Sequence, residues 1–116
     1  DDRGAVKRFG SFTFRIYRIY NNYVKNEFDP AKREKVLRER RLDMAEAGTL
    51  LATNCYEVCD ERFEYGEMRW VSYGLLRGEV IACVWVDLND DRVRVVTMRK
   101  ANGNEQARYY RHVEGG

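Results

Sequence analysis

The stretch "EVIACVWVDLNDDRVRVVTMRKANGNEQARYY", residues 79–110, decides the fold. "EVIACVWVDL" is apolar on both faces, the pattern of a central strand covered from both sides. "NDD" at residues 89–91 supplies a turn, and "RVRVVTMRK" returns as the partner strand. Asn102 followed by Glu105 makes a capping pattern, which opens a last helix through "EQARYYRHV".

The same stretch concentrates charge. Residues 92–112 carry Arg92, Arg94, Arg99, Lys100, Arg108 and Arg111 against Glu105 alone, a net +5 in a chain whose formal charge is only +2. Bulk charge therefore announces no nucleic-acid binder, whereas its distribution marks one end of the chain as basic. Arg92 and Arg94 alternate with Val93 and Val95, which reads as the wet side of a half-solvated sheet. The same alternation puts Arg99 on the Val93 and Val95 side, where a buried guanidinium needs a partner, and Lys100 on the other. A strand end beside a capped helix is a place where guanidinium groups and backbone amides can meet a phosphate together, with Arg69 from a nearby strand completing the cluster, and structural ion pairing is the reading of these residues that spacing alone favours.

Working outward, Arg77 and Gly78 form a tight turn behind "EMRWVSYGLL", a strand with Met68 and Trp70 on one face and Arg69, Val71 and Tyr73 on the other. "NCYEVCD" is a further strand, joined to it by the loop "ERFEYG". Upstream, Asp43 with Glu46 precedes Met44, Ala47, Leu50 and Leu51, which share a helical face. Asp29–Pro30 starts a charged helix through "AKREKVLRERR", since Asp caps free amides and Pro fits the first turn. "YVKNEF" reads as a first strand. The expected class is α+β in a single domain at residues 23–116: two N-terminal helices, an antiparallel sheet of about four strands with an additional N-terminal strand, and a C-terminal helix. Residues 1–22 differ in character and admit three readings: an extra strand, an arm or a leader.

With 116 residues and 44% apolar composition the chain suits one core. No apolar run approaches the roughly 20 residues of a membrane span, and the N-terminus lacks the apolar block of a signal peptide, so the expectation is a cytoplasmic protein with no membrane contact. Three cysteines argue against a closed disulfide framework. Cys55 and Cys59 invite a metal or redox reading, but four strand residues span roughly 13 Å, which favours plain thiols. His112 has no cysteine near it in sequence, and no metal or cofactor is expected.

Metal-free RNA cleavage needs a base near the ribose 2′-hydroxyl and donors for charge on the scissile phosphate. Glu67 shares a strand side with Arg69 and suits either the base or a cross-strand ion pair. Glu105 is a weaker candidate for the base, since its place in the capping pattern already explains it. Tyr73, Tyr109 and Tyr110 suit stacking on bases, donating hydrogen bonds, or the core, which is the commoner place for aromatics at these spacings.

"FDPAK", the two closely spaced helices, "GEMRWVSYG", the apolar pair of strands ending in "RKA", and the following Glu and "RYY" together resemble the BrnT toxins of BrnT/BrnA toxin–antitoxin pairs. The resemblance runs from about Asn26 to Tyr110. It implies a RelE-like fold, metal-independent endoribonuclease activity on an RNA substrate, and a cognate BrnA-like antitoxin with a ribbon-helix-helix part, able to build a higher-order toxin–antitoxin complex. On this basis Glu67, Arg69, Arg99 and Lys100 are the expected catalytic residues and Lys32 an expected RNA contact; Arg94, Tyr73 and Arg108, which the resemblance does not assign, are further expected RNA contacts by their residue type and place. The chain departs from the family pattern in its first helix, with Val36 where Asn is common and Glu39, Arg40 and Arg41 where a "KHG"-like ending is common. A competing reading keeps the fold without catalysis, as a protein- or nucleic-acid-binding module.

Overall fold

The computed structural model describes residues 25–60, 69–89 and 92–114. Residues 1–22, the "ERFEYG" loop, Glu67 and Met68 lie outside the described residues, as do Asp90 and Asp91 of the "NDD" turn. The order is strand β1 (Lys25–Glu27), helix α1 (Pro30–Arg40), a 3₁₀ turn (Met44–Glu46), helix α2 (Ala47–Leu51), strands β2 (Tyr56–Asp60), β3 (Arg69–Leu76), β4 (Glu79–Asn89) and β5 (Arg92–Lys100), and helix α3 (Gly103–Glu114). The strands form one sheet in the order β1-β5-β4-β3-β2. The meander β2 to β5 is antiparallel, while β1 adds to β5 in parallel through Arg92–Arg94, which makes the sheet mixed.

β4 is central, as its two apolar faces require. On one face Ile81, Cys83 and Trp85 pack with Met98, Val93 and Val95 under Val36, Met44, Leu50 and Leu51 of the N-terminal helical layer. On the other, Val80 and Ala82 pack with Tyr56, Val71, Tyr73 and Ala101 under Tyr109 of α3. Met44, Leu50, Leu51, Ile81 and Met98 are fully buried, each contributing roughly 1.5–3 kcal/mol of transfer free energy. Cys55, Cys59 and Cys83 are buried, and none of them is in a disulfide among the described residues.

Local chemistry sets the joints. Asp29 accepts from the Ala31 amide at 3.0 Å with Pro30 opening α1. Arg41 ends that helix in the left-handed region, φ 58°, its amide donating to Leu37 O, a conformation that glycine adopts more readily. Asp43 caps the 3₁₀ turn through the Ala45 amide. Its expected capping partner Glu46 instead accepts from Arg77 at 2.7 Å, so the Asp43–Glu46 pattern is only half a capping box. Arg77 and Gly78, both at positive φ, make the two-residue hairpin turn. Gly74 lets α2 approach β3: a Cβ there would stand 3.0 Å from Cys55 Sγ and 3.3 Å from Leu50 Cγ.

One register detail moves the site. Val84 pairs with Thr97 and Trp85 with Val95, so Val96 is the extra residue of a β-bulge. Strict alternation across it fails. Met98, not Arg99, joins Val93 and Val95 in the helical-layer core. Arg99, opposite Ala82, emerges on the α3 side, which corrects the expectation that it shares the Val93 and Val95 face.

Candidate active site

β5 ends at Lys100, and the chain turns at once into α3 through a complete capping box: the Glu105 amide donates to Asn102 Oδ1 at 2.9 Å, and the Asn102 amide donates to Glu105 Oε1 at 2.8 Å. This returns the Glu105 carboxylate to the strand it has just left. Arg99 meets it there, Nη1 on Oε1 at 2.8 Å and Nη2 on Oε2 at 2.9 Å. The Tyr73 hydroxyl, brought alongside by the cross-sheet row of Tyr73, Ala82 and Arg99, donates to Oε2 at 3.1 Å.

Four donors on one carboxylate stabilise its charged form. The hydrogen bonds from Arg99 lower the Glu105 pKa from 4.5 to about 2 against the opposing cost of burial, with the Asn102 amide and Tyr73 adding to the effect. Such a group is a poor proton acceptor near neutrality. Burial, and then the carboxylate beside it, raise the Tyr73 pKa, while Arg99 and Arg108 pull it back, which places Arg108 in the electrostatic neighbourhood of the same cluster. Glu105 in turn raises the Arg99 pKa further.

The geometry at Arg99 is asymmetric. Glu105 takes the end-on pair, Nη1 and Nη2, and a weaker contact runs from Nη1 to Lys100 O at 3.3 Å. The side-on pair, Nε–H and the second Nη2–H, donates to no carboxylate or carbonyl among the described residues, while the Tyr73 hydroxyl, itself a donor to Glu105, lies against the Arg99 guanidinium. The Glu105 side chain is 10% exposed and that of Arg99 41%, so an anchored guanidinium presents a fork to solvent. Forks of this kind match the two oxygens of a phosphate.

Of the expected site residues, the structure gathers Arg99 and Tyr73 around Glu105, with Arg108 three residues on along α3. The Tyr73 ring is buried in the α3-side core, which corrects its expected role as an RNA contact: it has no open face for a base and serves the cluster through its hydroxyl. Tyr109 is also core, whereas Tyr110 is partly exposed. Lys100 points to the opposite side and pairs with Glu79 at 3.3 Å beside a cleft of about 180 Å³ that Gln106 and Tyr110 also line. Arg69 shares the face of Tyr73 but lies four residues along β3, roughly 13 Å away, level with Asp60 on β2. It does not join the Arg99 cluster. Arg94, opposite Val86 on that same face, is exposed, and Arg92 pairs with Glu27 at 3.1 Å. Lys32 is exposed on α1, in the layer on the other side of the sheet. Glu67 lies outside the described residues.

Sequence reasoning missed that Glu105 is the hub. Its signal was present: a capping residue in the first turn after a basic strand end must face back toward that strand.

Among solved structures, the chain is similar to the Brucella abortus ribonuclease toxin BrnT, with a TM-score of 0.50 and 21% sequence identity over 68% of this chain and 97% of that one. At that identity the likeness speaks to the fold. No curated protein matches the chain. The family model for the BrnT ribonuclease toxin of type II toxin–antitoxin systems matches residues 28–105, from the residue before the α1 cap to the Glu105 carboxylate. The chain therefore belongs to the BrnT family of ribonuclease toxins, whose type II systems pair each toxin with an antitoxin.

Proposed function

We propose that this protein is a metal-independent endoribonuclease whose phosphate-binding group is Arg99, oriented by Glu105. The observation that carries the reading is the end-on grip of Glu105 on Arg99, which leaves the side-on fork facing solvent. As the scissile phosphate gains charge in the transition state, a guanidinium already fixed in direction stabilises it without reorganising. Tyr73 holds the carboxylate from behind and Arg108 adds positive potential at the rim.

The saturated Glu105 carboxylate leaves the base to another group, and Glu67 retains that assignment, with Arg69 two positions on in sequence. Lys100 contributes charge on the neighbouring cleft, and Lys32 and Arg94 lie along outer paths for the RNA strand. In this reading the protein works in the cytoplasm and is neutralised by a BrnA-like ribbon-helix-helix antitoxin, with which it forms a higher-order complex.

The test is cleavage of a labelled RNA by purified protein in EDTA, with and without ribosomes, alongside Arg99→Ala. Native cleavage that is lost in a mutant with an unchanged circular-dichroism spectrum supports the reading. Full cleavage by Arg99→Ala removes the assignment, and cleavage that vanishes in EDTA removes the metal-independent chemistry.

A further inference from the structure

β1 covers β5 only as far as Arg94, so among the described residues the outer edge of Val95–Lys100 has no strand partner. One side chain closes on that edge. Arg40, in the last turn of α1, donates from Nη1 to Met98 O at 2.7 Å and to Thr97 Oγ1 at 3.1 Å, a contact across 57 positions of sequence. Thr97 and Arg99, opposite Val84 and Ala82, lie on the same face of β5, about 7 Å apart along the strand. Arg40 thus reaches from the helical layer around the sheet edge to the side on which Arg99 opens.

Its partners set it apart from the ion-paired cations. Arg33 pairs with Asp43, Arg77 with Glu46, Arg92 with Glu27, Arg99 with Glu105 and Lys100 with Glu79. Arg40 is fixed by a carbonyl and a hydroxyl, and no carboxylate pairs with it among the described residues. Neutral oxygens orient a guanidinium without cancelling its charge. Among the described residues only Nη1 is engaged, and Nε–H and both Nη2 protons of this exposed side chain have no acceptor there.

From this arrangement we infer that Arg40 is a second phosphate-binding arginine, so that the open edge of β5 carries a two-arginine clamp holding neighbouring phosphates of one RNA strand, Arg99 on one and Arg40 on the next. The inference rests on the reading of Arg99 given above and extends the site to a residue of α1. An arginine that served only to shield the strand edge from pairing would explain the Met98 contact, but it would not bind RNA, and the two roles separate by salt dependence.

The experiment measures binding of a mixed-sequence 2′-O-methyl oligoribonucleotide, which resists cleavage through its blocked 2′ oxygens, by fluorescence anisotropy between about 50 and about 200 mM salt. Each phosphate contact on a single strand contributes about 0.7 to the slope of log affinity against log salt. Arg40→Gln is expected to weaken binding about tenfold, as loss of one charge-assisted contact does, and to flatten the slope by about 0.7. Arg40→Lys keeps the native slope. In the native protein, the oligonucleotide protects both Arg40 and Arg99 from phenylglyoxal, read by mass spectrometry, so the result does not depend on a variant folding. Native affinity and slope in folded Arg40→Gln, or Arg40 unprotected while Arg99 is protected, overturns the inference and leaves the Arg99 reading standing. If Arg99→Ala also binds with native affinity and slope, the Arg99 reading itself fails.

Discussion

Glu105 grips the end of the Arg99 guanidinium through two hydrogen bonds of 2.8 and 2.9 Å while the same carboxylate completes the cap of α3. The direction of the arginine is thereby tied to the start of the helix. A group that acts through another should lose its effect once that other group is gone. Glu105→Gln keeps the shape but removes the charge, and is expected to slow RNA cleavage about tenfold, whereas Glu105→Gln added to Arg99→Ala should slow it no further. Single-turnover rates of the two single variants and the double variant measure the coupling. Independent, multiplying effects would contradict a positioning role.

Acid stability follows from the same pair. The folded Glu105 pKa is lowered from 4.5 to about 2, so between these values the unfolded chain binds more protons than the folded one. Stability is then fully present above about pH 4.5 and falls as pH drops toward about 2. Asp43, lowered from 3.8 to about 2 first by its hydrogen bond from Arg33, contributes in the same direction. Urea midpoints recorded across this range should decline, and Glu105→Gln should show a shallower decline, keeping the part due to Asp43. An identical pH dependence in the variant would contradict the linkage.

Much of this architecture was legible, because caps, turns and alternation act over a few residues. Asp29–Pro30, Arg77–Gly78 and Asn102–Glu105 each sit where their local chemistry places them. The face of Arg99 was not legible. It depends on the bulge at Val96, and no residue in "RVRVVTMRK" announces a slip that arises only when β5 is paired against β4. Glu46 escaped for a similar reason, since Arg77 lies 31 positions away. The pairing of Tyr73 with Glu105 likewise joins a strand to a helix 32 positions on. A tyrosine at an alternating strand position gives no sign of whether its hydroxyl ends in water or on a carboxylate.

The contact between α2 and β3 is tight enough to test by a single methyl group. A Cβ on residue 74 stands at 3.0 Å from Cys55 Sγ and 3.3 Å from Leu50 Cγ, both of which belong to buried side chains. Gly74→Ala should cost about 1–3 kcal/mol as overpacking does, and Cys55→Ala in the same chain should recover part of that loss by vacating the nearer contact. Urea unfolding of the two single variants and the double variant measures the recovery. Strictly additive losses would mean that Cys55 is not what the new methyl meets.

The central claim concerns a fork and not merely a charge, so the most direct measurement is the single-turnover RNA-cleavage rate of Arg99→Lys beside Arg99→Ala. Lysine keeps the charge but offers no planar pair of donors, and it cannot satisfy Glu105 and a phosphate from two edges at once. The account predicts that both variants fall by about a hundredfold or more, the effect of removing a transition-state donor, with native circular-dichroism spectra. A lysine variant that cleaves at the native rate would show that positive charge alone suffices there, and would contradict the claim that Glu105 aims an arginine fork at the scissile phosphate.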